Sequence, residues 1–277
     1  MARKMPGIRT AIITLAAYIV AVIFLLPYLE MLVTAVRPNK ELFNAGYLPK
    51  HFAWSNLTNM WGSAYGITKS TLISLEIAAG ATILVLLIAL PAAYYTSRRR
   101  FRGRGAFLLL VLATQMLQPT AVVIGIYQEV VKVHLIGSPV LALILVNAGF
   151  NLAFAIWILS AYIGSIPVEL EEAAMVDGTG RLGALRRVTL PLAMPGVVTA
   201  LIFTFIAAWN EFITALTLVS DPNQFPLTVR MDSFIGAYTV DWQHLFGASV
   251  VATIPVFILF ALIEGRVVGG LTAGSVK

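Results

Sequence analysis

Three kinds of residue are scarce in this chain, and each scarcity removes a class of function. Cysteine is absent, which excludes disulfide frameworks, thiolate metal sites and cysteine nucleophiles. Only three histidines occur among 277 residues, and none belongs to an H-E-x-x-H metal motif. Charged residues make up 12% of the sequence, far too few to cover the surface of a soluble domain of this size. The sequence therefore indicates neither a metalloenzyme nor a soluble globular protein.

Apolar residues, in contrast, account for 59% of the chain. They form continuous runs close to the roughly 20 residues that cross a bilayer as a helix, and they do not alternate with polar residues as barrel strands would. Because lipid offers no hydrogen bonds to the backbone, such runs must be helical. The sequence predicts an all-α polytopic membrane protein with six transmembrane helices, at about 11–34, 72–95, 106–131, 140–163, 196–219 and 247–263.

The distribution of basic residues predicts how these spans are oriented. The greater part of the 19 Lys and Arg residues falls in the segments that share a side with the two termini, including the cluster 98–104. Positive residues concentrate on the cytoplasmic side of membrane proteins, so both termini are expected in the cytoplasm. The net charge of +6 is thus a topology signal, with membrane lipid as the surroundings and no nucleic acid partner.

Between the fourth and fifth spans, residues 165–191 form a cytoplasmic loop with helical character. Three acidic residues, Glu169, Glu171 and Glu172, fall where they complement the dipole of a short helix, and Gly178 falls where a left-handed C-terminal cap is expected. A second short helix is predicted from about Arg181 to Val188, ending near Pro191. The result is a helix-turn-helix with a small-residue surface at Ala173 and Ala174, which either connects two spans or receives another protein.

The fixed spacing within this loop resembles a known motif. Glu172-Ala173-Ala174 is followed after three residues by Gly178 and after nine more by Val188-Thr189-Leu190-Pro191, which is similar to the EAA motif of permease subunits in binding-protein-dependent ABC importers. Val188 stands where the pattern usually has Ile. Further stretches resemble the carbohydrate branch and its maltose-transporter type: residues 44–49, 91–94, 207–212 and 270–277.

The resemblance implies a single importer transmembrane domain over residues 1–277, with the loop 165–191 as the cytoplasmic coupling segment that docks on an ATPase. The residues implied in coupling are Glu172, Ala173, Ala174, Asp177, Gly178, Leu190 and Pro191. The implied partners are a second permease subunit, two ATP-binding subunits that hold ATP and Mg, and an extracytoplasmic sugar-binding protein. The chain itself would be a non-catalytic, multi-pass subunit of the bacterial inner membrane that binds no cofactor.

Polar residues inside the spans are candidates for a substrate path because they are costly in lipid. Sugars are bound through hydroxyl groups by amides and carboxylates beside an aromatic face, which suits Trp209, Asn210 and Glu211 in the fifth span. Further candidates lie in the third and fourth spans, where contacts between helices are the alternative role: Gln115, Gln118, Asn147 and Asn151.

Other readings of the sequence are weaker. Residues 178–183 match the dinucleotide fingerprint G-x-G-x-x-G, but no strand precedes them, so no nucleotide site is expected in this chain. The resemblance implies a di- or oligosaccharide cargo, such as a maltose- or trehalose-like sugar. Glycerol 3-phosphate or a glycerophosphodiester is the alternative within the same importer class, and an ion-coupled secondary transporter is the alternative from another class.

Overall fold

The computed structural model describes residues 8–42, 46, 49–62, 65–99 and 101–273. Within these ranges the regular elements are helices, together with one isolated antiparallel bridge between Ile235 and Val240. The prediction of an all-helical chain is confirmed for this part of the molecule. Thirteen α-helices are present in the described ranges, in chain order: α1 Ile8–Ala35, α2 Ser55–Met60, α3 Ile67–Arg98, α4 Arg104–Thr114, α5 Pro119–Lys132, α6 Pro139–Ser165, α7 Glu169–Val176, α8 Arg181–Ala184, α9 Leu190–Leu192, α10 Met194–Trp209, α11 Ile213–Leu218, α12 Leu227–Asp232 and α13 Trp242–Ala273.

Four of the described helices are single segments long and apolar enough to cross a membrane, namely Ile12–Ala35, Ile67–Arg98, Pro139–Ser165 and Trp242–Leu262. Two bent pairs raise the number of candidate spans to six if each pair is one span. Large apolar side chains such as Phe24 and Leu87 point outward, as lipid-facing positions of a membrane helix do.

The third predicted span, 106–131, is not one continuous helix. It consists of α4 and α5, which meet at an angle of 96°. Pro119 is the first residue of α5 and cannot donate a backbone hydrogen bond, and Gln118 before it is extended, as residues before proline tend to be. The continuous apolar composition concealed this break.

The fifth predicted span, 196–219, is also interrupted. Helix α10 ends at Trp209, and α11 begins at Ile213. At its other end α10 forms the second bent pair, at 73° to the preceding helical segment Arg181–Leu192. The break after Trp209 coincides with the polar residues Asn210 and Glu211.

Two compact units divide the chain: Met1–Thr68 with Met231–Thr253, and Lys69–Arg230 with Ile254–Lys277. In the first, the backbone oxygen of Arg37 just after α1 accepts hydrogen bonds from the amide side chains of Asn56 and Gln243. A Cβ on Gly247 would lie 2.4 Å from the sulfur of Met60, so the helix α13 approaches α2 closely there because position 247 is glycine.

The core of the second unit lies between α3, α6 and α10. It is rich in small residues, among them Ala89, Ala93, Ala155 and Ala200. Small residues allow helix backbones to approach closely, which strengthens packing in a membrane where burial from water contributes little. A hydrogen bond of 2.8 Å between the hydroxyl groups of Thr96 and Ser160 also joins α3 to α6.

In the turn before α12, Asp221 accepts a hydrogen bond of 2.9 Å from the backbone N–H of Asn223. This hydrogen bond stabilises the ionised carboxylate and lowers the pKa of Asp221 below its ordinary value. The turn Pro222–Gln224 is thereby fixed between α11 and α12.

Candidate functional site

The loop 165–191 begins with α7, which has three acidic residues in its first turn. They complement the partial positive charge of the helix N-terminus, as the sequence predicts. Gly178 follows the helix with φ +88°, so the predicted left-handed cap is confirmed. The backbone N–H of Thr179 donates a hydrogen bond of 3.1 Å to the backbone oxygen of Ala174, which closes this end of the helix.

Most of the residues that the sequence assigns to coupling lie at the surface of this loop. Glu172, Ala173, Asp177, Gly178 and Pro191 are exposed, and Ala174 is half-buried. Leu190 differs from the rest, because it packs against the apolar core between α3, α6 and α10. The loop thus has an outward surface of small and acidic residues and an inner side attached to the helix core.

The second helix of the loop begins at Arg181 and ends at Leu192, one residue beyond Pro191 and close to its predicted end. The sequence did not predict the π-helical turn within it, Leu185–Thr189. Proline lacks a backbone N–H and its ring collides with the carbonyl one turn earlier in a regular α-helix. The wider π turn accommodates both effects, so Pro191 is tolerated within a helical segment.

Inside the loop, the carboxylate of Glu171 is buried and accepts hydrogen bonds from three side chains. Arg98 Nε and Thr189 Oγ1 lie 2.8 and 2.6 Å from Oε1, and the hydroxyl of Tyr94 lies 2.9 Å from Oε2. Arg98 Nη2 is 2.7 Å from Oε1, and the side chains of Arg98 and Glu171 are 9% and 5% exposed. Removing one partner from such a buried ion pair costs about 3–5 kcal/mol. We call Tyr94, Arg98, Glu171 and Thr189 the Glu171 cluster.

Sequence reasoning missed the Glu171 cluster. Arg98 is indistinguishable in sequence from its arginine neighbours, which serve as topology signals, and Glu171 is one of three acids in a single turn. The π turn that places Thr189 beside Glu171 leaves no mark in the hydropathy pattern. The sequence offers one indication, which is the spacing of the acids. Glu171 and Glu172 are about 100° apart around α7, so they point in different directions and cannot both lie at the centre of its outward face.

The candidate path residues of the fifth span occupy the helix break. Trp209 is buried and stacks on Phe205 with ring centroids 5.9 Å apart. Asn210 is exposed, and its side-chain nitrogen donates to the backbone oxygen of Ile206. Both carboxylate oxygens of Glu211 accept backbone hydrogen bonds from α11, from Thr214 at 2.6 Å and from Ala215 at 3.0 Å.

Glu211 therefore caps α11 from within the break. Its carboxylate satisfies two of the N–H groups that a helix start leaves without intrahelical partners. The backbone oxygen of Glu211 accepts a hydrogen bond from Thr228 at the start of α12, which connects the break to the next helix. The carboxylate supplies hydrogen-bond acceptors to backbone N–H groups that lipid could not satisfy, so the irregular backbone at the break is stabilised.

The candidates of the third and fourth spans form local hydrogen bonds. Gln115 follows α4 at the bend and donates to the backbone oxygen of Phe150 on α6 at 2.9 Å. Gln118 is exposed and precedes α5. Asn147 and Asn151 share a face of α6, as predicted, and their side-chain nitrogens donate to the backbone four residues earlier, at 2.9 Å each.

Three of these candidates come together at one place. Asn147, Trp209 and Glu211 line a small cavity with Ser74, with room for about one water molecule. Such a cavity is far smaller than a sugar ring. The other four candidates, Gln115, Gln118, Asn151 and Asn210, do not line this cavity.

The apolar helices, the broken spans and the folded loop are those of a helical membrane protein, and comparison with known proteins identifies its family. Residues 85–268 match the family described as "Binding-protein-dependent transport system inner membrane component", so the chain belongs to this family of ABC transporter permeases. As such it is a non-catalytic inner-membrane subunit, and separate ATPase subunits hydrolyse ATP. Membership of this family excludes the alternative of an ion-coupled secondary transporter.

Relatives and solved structures are consistent with this assignment. The diacetylchitobiose uptake system permease protein DasC of Streptomyces coelicolor is 37% identical over 74% of this chain and 74% of its own. The trehalose/maltose transport system permease protein MalG of Thermococcus litoralis is 28% identical over 98% of each chain. A bacterial ABC transporter that imports the acidic polysaccharide alginate contains a chain of the same fold, with a TM-score of 0.76, 21% identity and coverage of 95% of this chain and 99% of that one.

Proposed function

We propose that this chain is the permease subunit of an ATP-driven importer that moves a di- or oligosaccharide from a solute-binding protein into the cytoplasm. The observation that carries the proposal is the membership of a binding-protein-dependent family together with relatives named for the uptake of diacetylchitobiose and of trehalose and maltose. The complete importer then contains a second permease subunit and two ATPase subunits, which hold ATP and Mg.

The exposed surface of loop 165–191 is the proposed contact with an ATPase subunit. Glu172, Ala173, Asp177 and Gly178 are exposed next to each other along one short helix and its cap. Small side chains permit a close approach of the partner's backbone, and the two acids supply charge for a basic partner surface. The loop lies on the cytoplasmic side in the orientation that the basic residues favour.

The proposed substrate path runs past the two broken spans. Breaks in membrane helices expose backbone groups that must line a cavity or be covered by protein, and transporters bind their cargo at such breaks. Three amide side chains are exposed at the two breaks: Gln115, Gln118 and Asn210. Gln115 holds α6 through the backbone oxygen of Phe150, and Asn210 and Gln118 are the proposed sugar contacts. Asn147, Trp209 and Glu211 line the small cavity beside the fifth-span break.

The charge at the fifth-span break favours a neutral cargo. Glu211 contributes a carboxylate there, and the other candidate path residues are amides and an indole. A glycerol phosphate ester carries negative charge and would be repelled at this position unless a cation compensated. A neutral sugar meets no such penalty.

Uptake into proteoliposomes tests the proposal. The chain is purified with its second permease and ATPase subunits, reconstituted, and supplied with its binding protein and with diacetylchitobiose, maltose, trehalose or glycerol 3-phosphate. We expect uptake of at least one neutral sugar that requires both ATP and the binding protein. Uptake of glycerol 3-phosphate alone, or uptake of no sugar in an ATP-hydrolysing complex, contradicts the proposal.

A further inference from the structure

We propose that the Glu171 cluster is the rigid link through which a displacement of α7 reaches the substrate path. This inference rests on the proposed function, because it assigns the transmission step of the same importer. Nothing in the EAA-type spacing points to it, since Tyr94 and Arg98 lie far from the loop in sequence and Glu171 precedes the matched triplet.

Helix α7 has an inward face and an outward face. Glu171 is 4% exposed and turned inward, whereas its neighbour Glu172 is exposed. Adjacent helical residues are about 100° apart, so one acid can serve the inside of the protein while the next serves a partner. A force applied to the outer face of α7 is therefore opposed on the inner face by the hydrogen bonds of Glu171.

Glu171 joins α7 to several other elements of the second unit. Tyr94 and Arg98 belong to the last turns of α3, and Thr189 belongs to the π turn that leads into α9 and α10. Arg98 Nη1 also donates to the backbone oxygen of Ile166, between α6 and α7, at 2.9 Å. One buried carboxylate thus connects α7 to α3, to the end of α6 and to the approach to α10.

The hydrogen bonds to Glu171 are of the strong kind. They are charge-assisted and lie within a buried site, where they are stronger than in water. Thr189 is fully buried and Glu171 nearly so. The partners of these buried hydrogen bonds are harder to separate than those of a water-exposed ion pair, which come apart at little cost in free energy.

Helices α3 and α10 both reach the region of the fifth-span break. Helix α3 is continuous from Arg98 back through Ser74, and the 20 residues from Tyr94 to Ser74 span about 30 Å. Ser74 lines the small cavity with Glu211 and Trp209, and its hydroxyl accepts a hydrogen bond of 2.7 Å from the N–H of Leu227 at the start of α12. Helix α10 ends at Trp209, at the same cavity.

Helix α3 therefore passes the broken fifth span at Ser74, and α10 ends there at Trp209, joined to the cluster through the segment Arg181–Leu192 and its 73° bend. Movement of α7 that carries α3 and α10 with it changes the spacing around Ser74, Trp209 and Glu211. The cluster is a positioning device and does not contact the cargo. If its hydrogen bonds are lost, we expect α7 to move without moving the residues of the substrate path. Less sugar is then transported for each ATP hydrolysed.

The test measures the ratio of sugar taken up to ATP hydrolysed in the reconstituted complex. Tyr94→Phe and Thr189→Val each remove one hydroxyl of the cluster and keep the shape and the ion pair. We expect both variants to assemble and hydrolyse ATP at wild-type levels, with the transport-to-ATP ratio lowered about fivefold for each lost hydrogen bond. Tyr95→Phe is the matched control, because Tyr95 is the exposed neighbour of Tyr94, and its ratio should stay unchanged.

A charge series extends the test to variants that could otherwise fail to fold. Glu171→Gln leaves Arg98 buried beside a neutral group, while the double variant Glu171→Gln, Arg98→Met removes both charges and is expected to regain assembly. If the cluster is the link, the double variant assembles yet stays uncoupled. A double variant with wild-type coupling, or a Tyr94→Phe ratio equal to that of Tyr95→Phe, overturns the proposal. Absence of any ATP-dependent sugar uptake by the wild-type complex would instead contradict the proposed function.

Discussion

At the scale of single residues, Asn210 and Glu211 are neighbours in sequence with separate roles in the structure. Glu211 has both oxygens committed to the first turn of α11, whereas Asn210 is exposed at the same break. The sequence identified the pair by its polarity in an apolar span, and that criterion cannot separate a helix cap from a sugar contact. The distinction depends on where α10 ends, which the apolar run on both sides conceals.

Replacing each of the two by alanine should therefore give different results. Glu211→Ala leaves two backbone N–H groups without a capping acceptor, and we expect a loss of about 2 kcal/mol in stability, measured as a lower midpoint of thermal unfolding of the purified complex. Asn210→Ala should leave the midpoint unchanged and raise the KM for the transported sugar. Equal midpoints for the two variants would contradict the capping role of Glu211.

At the scale of elements, the sequence located the apolar helices well and the breaks poorly. The first, second, fourth and sixth predicted spans correspond to α1, α3, α6 and α13, because a long apolar run has one stable form in lipid. The break at 115–118 combines Pro119 with a hydrogen bond from Gln115 to Phe150 on another helix, and the break at 210–212 combines the local cap by Glu211 with a hydrogen bond from Thr228. The π turn at 185–189 likewise depends on packing around Thr189 and Pro191.

The cap of α7 was visible in sequence because it depends on local backbone conformation. Gly178 has φ +88° and Gly180 has φ −71°, and a Cβ at either position would meet no atom within 4 Å. We expect Gly178→Val to strain the backbone by about 1–3 kcal/mol and to lower substrate-stimulated ATP hydrolysis, with Gly178→Asn intermediate because Asn tolerates the left-handed region.

Gly180→Val serves as the matched control for that series, since valine fits an extended backbone without strain. Its ATP hydrolysis and uptake should remain near wild type. If Gly178→Val and Gly180→Val impair coupling equally, side-chain bulk against the ATPase explains the effect and the left-handed cap does not.

At the scale of the whole molecule, the loop 165–191 and the hairpin that contains Tyr238 are expected on opposite sides of the membrane. The basic residues favour a cytoplasmic loop, and the segment between α12 and α13 then faces outward. Two fully accessible positions make this testable: Tyr238 is 99% exposed and Val176 is 87% exposed. The natural chain has no cysteine, so a single introduced thiol can be labelled without background.

We expect a membrane-impermeant maleimide to label Tyr238→Cys in intact spheroplasts and to label Val176→Cys only after lysis. In lysed membranes, co-assembly with the ATPase subunits should protect Val176→Cys, because the loop surface around Asp177 and Gly178 is the proposed docking site, while labelling of Tyr238→Cys should not change. Uptake by both variants is measured to establish that they assemble. Labelling of Val176→Cys in intact spheroplasts would show that the loop lies outside the membrane, which contradicts both the proposed orientation and the contact with the ATPase. Protection of neither position in the assembled complex would leave the orientation intact and contradict the docking surface.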